Sequence, residues 1–544
     1  MTIDNWKLAV ERKLQRRNAL FPKDYIIPAH QLPDRFTTDV TEIPKLHLSA
    51  LETEITELDD CDRLLSNIAR GVWTAKQVMV AFCKRATMAH QLVNCLNEVF
   101  FESALARADE LDNILATTGR TVGPLHGLPI SMKDQFCLKG HETACGYVHW
   151  LDQRNEEDSV LVQILYQQGA IPFVSTNLPQ SMHRVETENN IYGRTDNPFN
   201  RALTCGGSSG GEGALVGIRG SCVGVGTDLG GSIRVPAGFQ GLYGLRPSFH
   251  RIPYYGAKNS LLGFETLPSV AGPISTSFSG LVNFTKAVVD ATPSLLDPEV
   301  LDMPWKELKF ASASTGPKAF AVMWNDGVVK PNPPIRRALE ETVRKLRAAG
   351  HEVIDWVPCD YTYAGQIAYS LVTSDGGHDV RTALELSGEP KLPSLHKASE
   401  MISTYEEWQV NKRKLAYRKR HLDHWNATSA RTSTGRPIDA IISPIAPYAA
   451  PPHGENTYVG YTAIWNFLDN VAAVFPVTKV DPVRDAVPIS TGEPLSELDA
   501  IHAASYSPQR YENAPVSLQI IGRRQHEEEV LGLLKQVMTA IKCT

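Results

Sequence analysis

Cysteine is sparse and unpatterned in this chain. Its nine residues stand at 61, 83, 95, 137, 145, 205, 222, 359 and 543, and no pair forms CxxC. An odd, scattered set implies neither a disulfide framework nor a zinc site. Small thiols buried in a reducing compartment are the expectation. Long apolar runs are missing too: no stretch of about 18 apolar residues occurs, so no segment reads as a transmembrane helix. The amino-terminal MTIDNWKLAVERKLQRRN lacks the apolar core of a signal peptide and reads as a polar amphipathic helix. The final IKCT is neither a prenylation box nor a peroxisomal signal. These absences point to the cytoplasm. Charge of one sign is also lacking, with 54 Lys+Arg against 60 Asp+Glu and a net charge of -6. That balance gives no basic footprint for nucleic acid or for an anionic membrane. The 39 glycines and 35 prolines exclude a collagen-like or low-complexity chain. The sixteen histidines show no HExxH spacing, so no metal is called for.

What is present is a 544-residue chain with 42% hydrophobic and 21% charged residues, an ordinary globular composition. Residues 1–50 are punctuated by proline and are expected to wrap the surface. From Thr74 to about Val99, apolar residues at Val78, Ala81, Phe82, Ala89 and Leu92 recur at helical spacing. GLPISMKDQF (127–136) reads as a short buried strand ending in a polar loop. A helix from about Asp158 closes at Gly169, and AIPFVST (170–176) follows it as a strand. The same rhythm returns at PPIRRALEETVRKLRAAG (333–350) followed by HEVIDWV (351–357). DAIISPI (439–445) and APVSLQIIG (514–522) read as later buried strands, with a closing helix from His526 to about Lys542. No internal repeat and no Pro/Gly/Ser linker divides the chain, so the fold class is α/β in one large domain over 51–544.

One stretch departs from this pattern. Fourteen of the 44 residues from Thr204 to Pro247 are glycine, interleaved with hydrophobic segments such as Ala-Leu-Val-Gly-Ile. A flexible linker would not be built this way. Glycine here is expected to let the backbone approach something closely. A phosphate loop would need a Lys after the glycines, and none follows. The dinucleotide fingerprint fails because Leu229 occupies its third glycine position. Gly207-Ser208-Ser209-Gly210-Gly211 matches the GxSxG elbow of α/β-hydrolases with Ser209 at its centre. That reading leaves the second cluster, Gly230-Gly231-Ser232, without a role.

Lys133 at a strand end, Ser208 in GGSSGG and Ser232 in TDLGGSIR together use every part of the pattern. The arrangement resembles the amidase signature family of serine amidohydrolases, over a core of about 123–248 containing GPLHGLPISMKD, GGSSGGEGALVGIRG and GVGTDLGGSIRVPAGFQGLYGLRPS. Similarity to fungal acetamidase-type members extends to AFCKRATMAHQLVNC (81–95), NNIYGRTDNP (189–198), DAIISPIAP (439–447) and PVSLQIIGRR (515–524). The resemblance implies a central mixed β-sheet with helices on both faces, and no cofactor. It also implies a catalytic triad in which Ser232 attacks the amide carbonyl, Ser208 relays the proton and neutral Lys133 receives it. The oxyanion would be held by the backbone N–H groups of Leu229, Gly230, Gly231 and Ser232, and Ser208 would follow a cis peptide bond. Glu212 stands where many bacterial members have Ser, and Cys205 where they have Pro.

The chemistry fits these residue types. Amide hydrolysis needs a nucleophile, a base to activate it and an acid to protonate the departing nitrogen. A free lysine titrates near 10.4, and burial lowers that value by up to about 3–5 units. The GGS run is expected to let the chain curl around the oxyanion without Cβ clashes. Ser209, Asp228 and Arg234 are read as supports, the latter two pairing to hold the loop. Met182, Tyr147, Trp150 and Trp465 are candidates for the substrate pocket. The partner is then a small-molecule amide, aliphatic or aryl, and members of the family are often homodimers. Three rivals stand beside this reading. They are an α/β-hydrolase using Ser209, a fatty-acid-amide or ester hydrolase of the same family, and a non-catalytic binding member.

Overall fold

The computed structural model describes residues 5–393, 399–486 and 493–542; Cys543 lies outside them. Thirteen strands occur in chain order: β1 (Leu96–Val99), β2 (Pro129–Lys133), β3 (Ile171–Thr176), β4 (Glu188–Asn189), β5 (Gly193–Arg194), β6 (Val223–Asp228), β7 (Tyr243–Arg246), β8 (Val270–Ser275), β9 (Ala319–Val322), β10 (Glu352–Asp355), β11 (Ala440–Pro444), β12 (Ala472–Lys479) and β13 (Pro515–Ile521). Eleven of them build one sheet in the order β1-β3-β2-β6-β8-β7-β12-β13-β11-β9-β10, and β4 and β5 form a small separate ribbon. The sheet is mixed. β2 runs parallel to β3 and β6, and β9 parallel to β10 and β11, whereas β7, β8, β12 and β13 meet every neighbour antiparallel, β6 meeting β8 so.

The strands of this sheet read as apolar runs because both faces are covered. In β9, Phe320 and Val322 join one hydrophobic cluster while Ala321 joins another. In β11, Ile442 and Ile441 divide the same way. Helices supply the covering layers. Helix Pro333–Ala348 lays Ile335, Ala338, Leu339, Val343 and Leu346 against the cluster of Phe320 and Val322. Helix Tyr361–Val372 packs Tyr361, Ala364, Ile367 and Leu371 on the other side.

Most elements stand where the hydrophobic pattern puts them. One boundary differs. The helical spacing from Thr74 runs on to about Val99, but the helix ends at Val93 and residues 96–99 are β1. Asn94 takes a left-handed conformation with φ 53°, which stops the helix. β1 then pairs with β3 and is buried along its whole length. At the amino terminus, helix Asn5–Ala19 buries Lys13, which pairs with Glu98 and with Glu142. Among the described residues no helix is long and apolar enough to cross a membrane.

Candidate active site

β2 and β6 lie side by side and parallel, with Met132 paired to Val225, and β6 runs on two residues past the end of β2. Lys133 is the last residue of β2, and β6 closes on Thr227 and Asp228. From Asp228 the chain turns through Leu229-Gly230-Gly231-Ser232 into the short helix Arg234–Phe239. The second Gly/Ser segment arrives through a cis Gly207–Ser208 peptide bond and continues as helix Gly210–Gly217. The Ser209 N–H donates to the Ser232 carbonyl at 3.1 Å, tying the two segments together.

Lys133 is fully buried, and its Nζ lies 2.7 Å from Ser208 Oγ and 2.7 Å from Thr227 Oγ1. Thr227 sends its own proton to Gln135 Oε1 at 2.8 Å. The Gln135 amide is fixed in turn by donating to the Tyr254 hydroxyl and, at 3.3 Å, to Asn259 Oδ1. Thr227 Oγ1 is therefore an acceptor from Lys133. Burial pushes the Lys133 ammonium down to about 7 and outweighs the Asp228 carboxylate, which favours the charged form. Near neutral pH much of it is a free amine whose lone pair can face Ser208.

Ser232 is only partly buried. With Ser208, Thr227 and Gln135 it lines a small chamber of about 40 Å³. It also lines a cleft of about 440 Å³, walled largely by apolar groups including Leu267, Tyr361, Tyr458 and Phe467. Ser232 thus stands where the buried lysine site meets the cleft. Leu229, Gly230 and Gly231 line the same cleft. The Gly231 N–H is already committed, donating to Asp228 Oδ1 at 2.7 Å. Only one of the two glycines is sterically required. Gly231 has φ 131°, and a Cβ there would overlap Thr462 Oγ1, whereas a Cβ on Gly230 meets open space.

Asp228 organises the turn. Its carboxylate accepts from Gly231 N, Ile233 N and Arg234 N, from the Arg234 guanidinium at 3.0 and 3.1 Å, and from Asn466 Nδ2 at 2.8 Å. Burial favours the neutral acid, yet Arg234 beside it and the Asn466 amide hold the carboxyl well below the usual carboxylate range. Ser209 is fully buried and its hydroxyl is taken up by β6: it accepts from Thr227 N at 3.2 Å and donates to Thr227 O at 3.3 Å.

Of the four pocket candidates, Met182 lines both the chamber and the cleft. Tyr147 instead bonds Ser260 Oγ at 2.7 Å and packs on Trp150, and neither ring borders the chamber or the cleft. Trp465 is fully buried behind Tyr361, 6.0 Å between ring centroids. Thr227 and Gln135 escaped the sequence reading although each sits beside a motif residue, in TDLGGS and SMKDQ. Their types suggested no chemistry, and only the fold shows that they fix the lysine. Among the described residues no group of three or more His, Cys, Asp or Glu side chains is placed to hold a metal ion.

Comparison with known proteins identifies the family. The family model described as Amidase matches residues 77–531. An acetamidase from Emericella nidulans is 42% identical over 543 residues, covering 98% of each chain. An acetamidase from Aspergillus oryzae is 43% identical over 498 residues, covering 90% of this chain and 91% of its own. A solved fatty acid amide hydrolase superposes with a TM-score of 0.91 at 33% identity, over 99% of this chain and 95% of that one. The chain belongs to the amidase signature family, and it is a hydrolase acting on amide C–N bonds.

Proposed function

We propose that the protein hydrolyses carboxylic amides through Ser232, Ser208 and Lys133, with an acyl-enzyme intermediate. The observation that carries this is the contact of Lys133 Nζ with Ser208 Oγ at 2.7 Å, in a chamber that Ser232 also lines. A buried lysine with its charge suppressed, aimed at a serine hydroxyl, has the chemistry of a base. Ser232 Oγ forms the bond to the amide carbon. Its proton passes to Ser208, and the Ser208 proton goes to Lys133. The carbonyl oxygen becomes an oxyanion held by backbone N–H groups of the Leu229–Ser232 turn. Because Gly231 N–H is engaged by Asp228, the donors left for it are Leu229, Gly230 and Ser232. Loss of one such donor costs about 2.7–4 kcal/mol in the barrier. The proton then returns through Ser208 to the amide nitrogen as the C–N bond breaks, releasing ammonia or an amine. Water, activated by the same lysine, cleaves the acyl–Ser232 ester to the acid.

The Ser209 hydroxyl is committed at both its donor and acceptor sides to the Thr227 backbone, which weighs against its use as a nucleophile. The cleft supports acyl groups larger than acetyl, aliphatic or aryl. Each added methylene buried in it is worth about 0.8 kcal/mol, or about fourfold in kcat/KM.

The test is ammonia release from acetamide, butanamide, hexanamide and benzamide by the wild type and by Ser232→Ala, Lys133→Ala and Ser209→Ala. Removal of the nucleophile or the base is expected to lower kcat by about a thousandfold or more, the loss typical of residues that act as one unit. Ser209→Ala is expected to keep most of the activity. Loss in Ser209→Ala with Ser232→Ala active would transfer the nucleophile to Ser209. A flat response across the chain-length series would remove the acyl reading of the cleft.

A further inference from the structure

Glu212 is a buried carboxyl for which the reaction described above has no use. It sits in the first turn of helix Gly210–Gly217 and is wholly inaccessible to solvent. Its oxygens meet two hydroxyls, Ser131 Oγ at 2.5 Å and Thr176 Oγ1 at 2.7 Å. Ser131 is two residues before Lys133 on β2 and shares its face of the sheet. Thr176 is the β3 partner of Lys133 in the register. The carboxyl therefore lies one sheet position from the lysine. β6 makes room for it with Gly224, where a Cβ would overlap Glu212 Oε2. The helix amides do not serve it, because Gly211 N donates to Asn177 O and Gly213 N to Ser209 O.

Among the described residues no cation lies within 4.0 Å of this carboxyl, Lys133 included. The two groups nevertheless share one dry region, and at a given proton count they have two arrangements. Either Lys133 is an ammonium and Glu212 a carboxylate, or both are neutral. The first desolvates two charges that do not touch, which is the costly form of a buried pair. The second leaves no buried charge and still satisfies the carboxyl. A protonated Glu212 can donate to Thr176 Oγ1, since the threonine proton has an alternative acceptor in Met132 O at 3.5 Å.

We propose that Glu212 is a positioning residue held as a neutral carboxylic acid, so that Lys133 has no counter-ion and remains a free amine. A carboxylate in the same place would favour the ammonium and remove the base. The remaining groups around it leave this arrangement in force. Asp228, at the end of β6, is committed to Arg234, and Asp134, following Lys133, accepts from Ala144 N, Cys145 N and Ser175 Oγ. The Cys95 thiol, on the chain segment leading into β1, and the Cys145 thiol are both pushed up out of their titrating range by burial. Burial likewise pushes the Glu212 carboxyl up to about 8, and the Ser131 and Thr176 hydroxyls only partly offset it. Lys133 and Glu212 titrate as a coupled pair, so the experiment must read the pair as well as the carboxyl.

The inference rests on Lys133 acting as the base. Glu212→Gln replaces the acid by a neutral isostere, so the acid limb of kcat/KM is expected to stay within about 0.3 pH unit of wild type. A fall of that limb by about one unit or more would show that an ionised Glu212 had been raising Lys133, and would overturn the proposal. A second arm uses infrared spectra of protein carrying carboxyl-labelled glutamate at neutral pH. The wild type is expected to show a protonated-glutamic-acid carbonyl band that is absent in E212Q. If no such band is lost, the proposal is wrong. Should E212Q fail to fold, Thr176→Val assigns the band instead, since loss of the hydroxyl shifts its frequency. If Lys133→Ala keeps full turnover, the assignment of the base fails, while the infrared arm still decides whether Glu212 carries a proton.

Discussion

At the scale of single residues, Lys133 is fully buried and held between two hydroxyls at 2.7 Å. Its ordinary value is near 10.5, and burial brings it to about 7. With Lys133 as the proposed base, kcat/KM is expected to fall tenfold per pH unit below about pH 7, as measured in a pH series with a neutral amide. The same shift has a cost in stability. Between pH 7 and 10.5 the unfolded chain binds the lysine proton more than the folded chain does, so this group's contribution to stability rises with pH across that window. Lys133→Met keeps most of the side-chain volume without the charge. It is expected to abolish turnover while raising Tm relative to wild type, by more at pH 6 than at pH 10. Calorimetry at the two values checks the sign, and a Tm gain that grew with pH would contradict a buried, charge-suppressed lysine. That Lys133, Ser208 and Ser232 would meet was legible because each is embedded in a local Gly/Ser or strand-end pattern. Thr227 and Gln135 were not, since a threonine and a glutamine become informative only when β2 and β6 are laid side by side.

At the scale of elements, the turn from β6 into helix Arg234–Phe239 carries a sharp local constraint. Gly231 sits at φ 131° against Thr462, whose hydroxyl also donates to Gly230 O at 2.7 Å. Gly231→Ala then meets both a disallowed backbone conformation and a clash. The expected loss is about 1–3 kcal/mol of stability together with most of the activity. Gly230→Ala has no clash and is expected to unfold at the wild-type denaturant concentration. Urea titration of the two variants side by side decides it, because equal losses would mean that glycine content, and not Gly231 alone, holds the turn. The sequence reading treated the two glycines alike, as φ and the position of Thr462 are not encoded in GGS itself. The misplaced end of helix Ala75–Val93 has a similar origin. Leu92, Leu96 and Val99 continue the apolar pattern across Asn94, and a period alone cannot register one left-handed residue.

At the scale of the whole molecule, the cleft is assembled from segments far apart in the chain. Leu229 to Ser232 and Val235 line one side, helix Tyr361–Val372 another, and residues 457–467 a third. Nothing in the local pattern of any one segment marks it as a wall, which is why Tyr147, Trp150 and Trp465 looked as plausible as Met182. Aromatic residues at helical spacing pack into cores as readily as they line cavities, and Trp465 does the former. The α/β rhythm, by contrast, was readable because it follows from burial on both faces of each strand. The cleft's assembly makes its size testable without touching the reacting groups. Gly365 lies in helix Tyr361–Val372 on the cleft wall, and a Cβ there meets nothing within 4 Å. Gly365→Leu should stabilise the helix by up to about 1 kcal/mol, since glycine is a poor helix former. It should also place a branched side chain in the acyl path. The expected outcome is a loss of about tenfold or more in kcat/KM for hexanamide, equivalent to about two buried methylenes, with a much smaller change for acetamide. Equal losses on both substrates would place the acyl group elsewhere, because a side chain added at this wall can discriminate only against substrates that reach it.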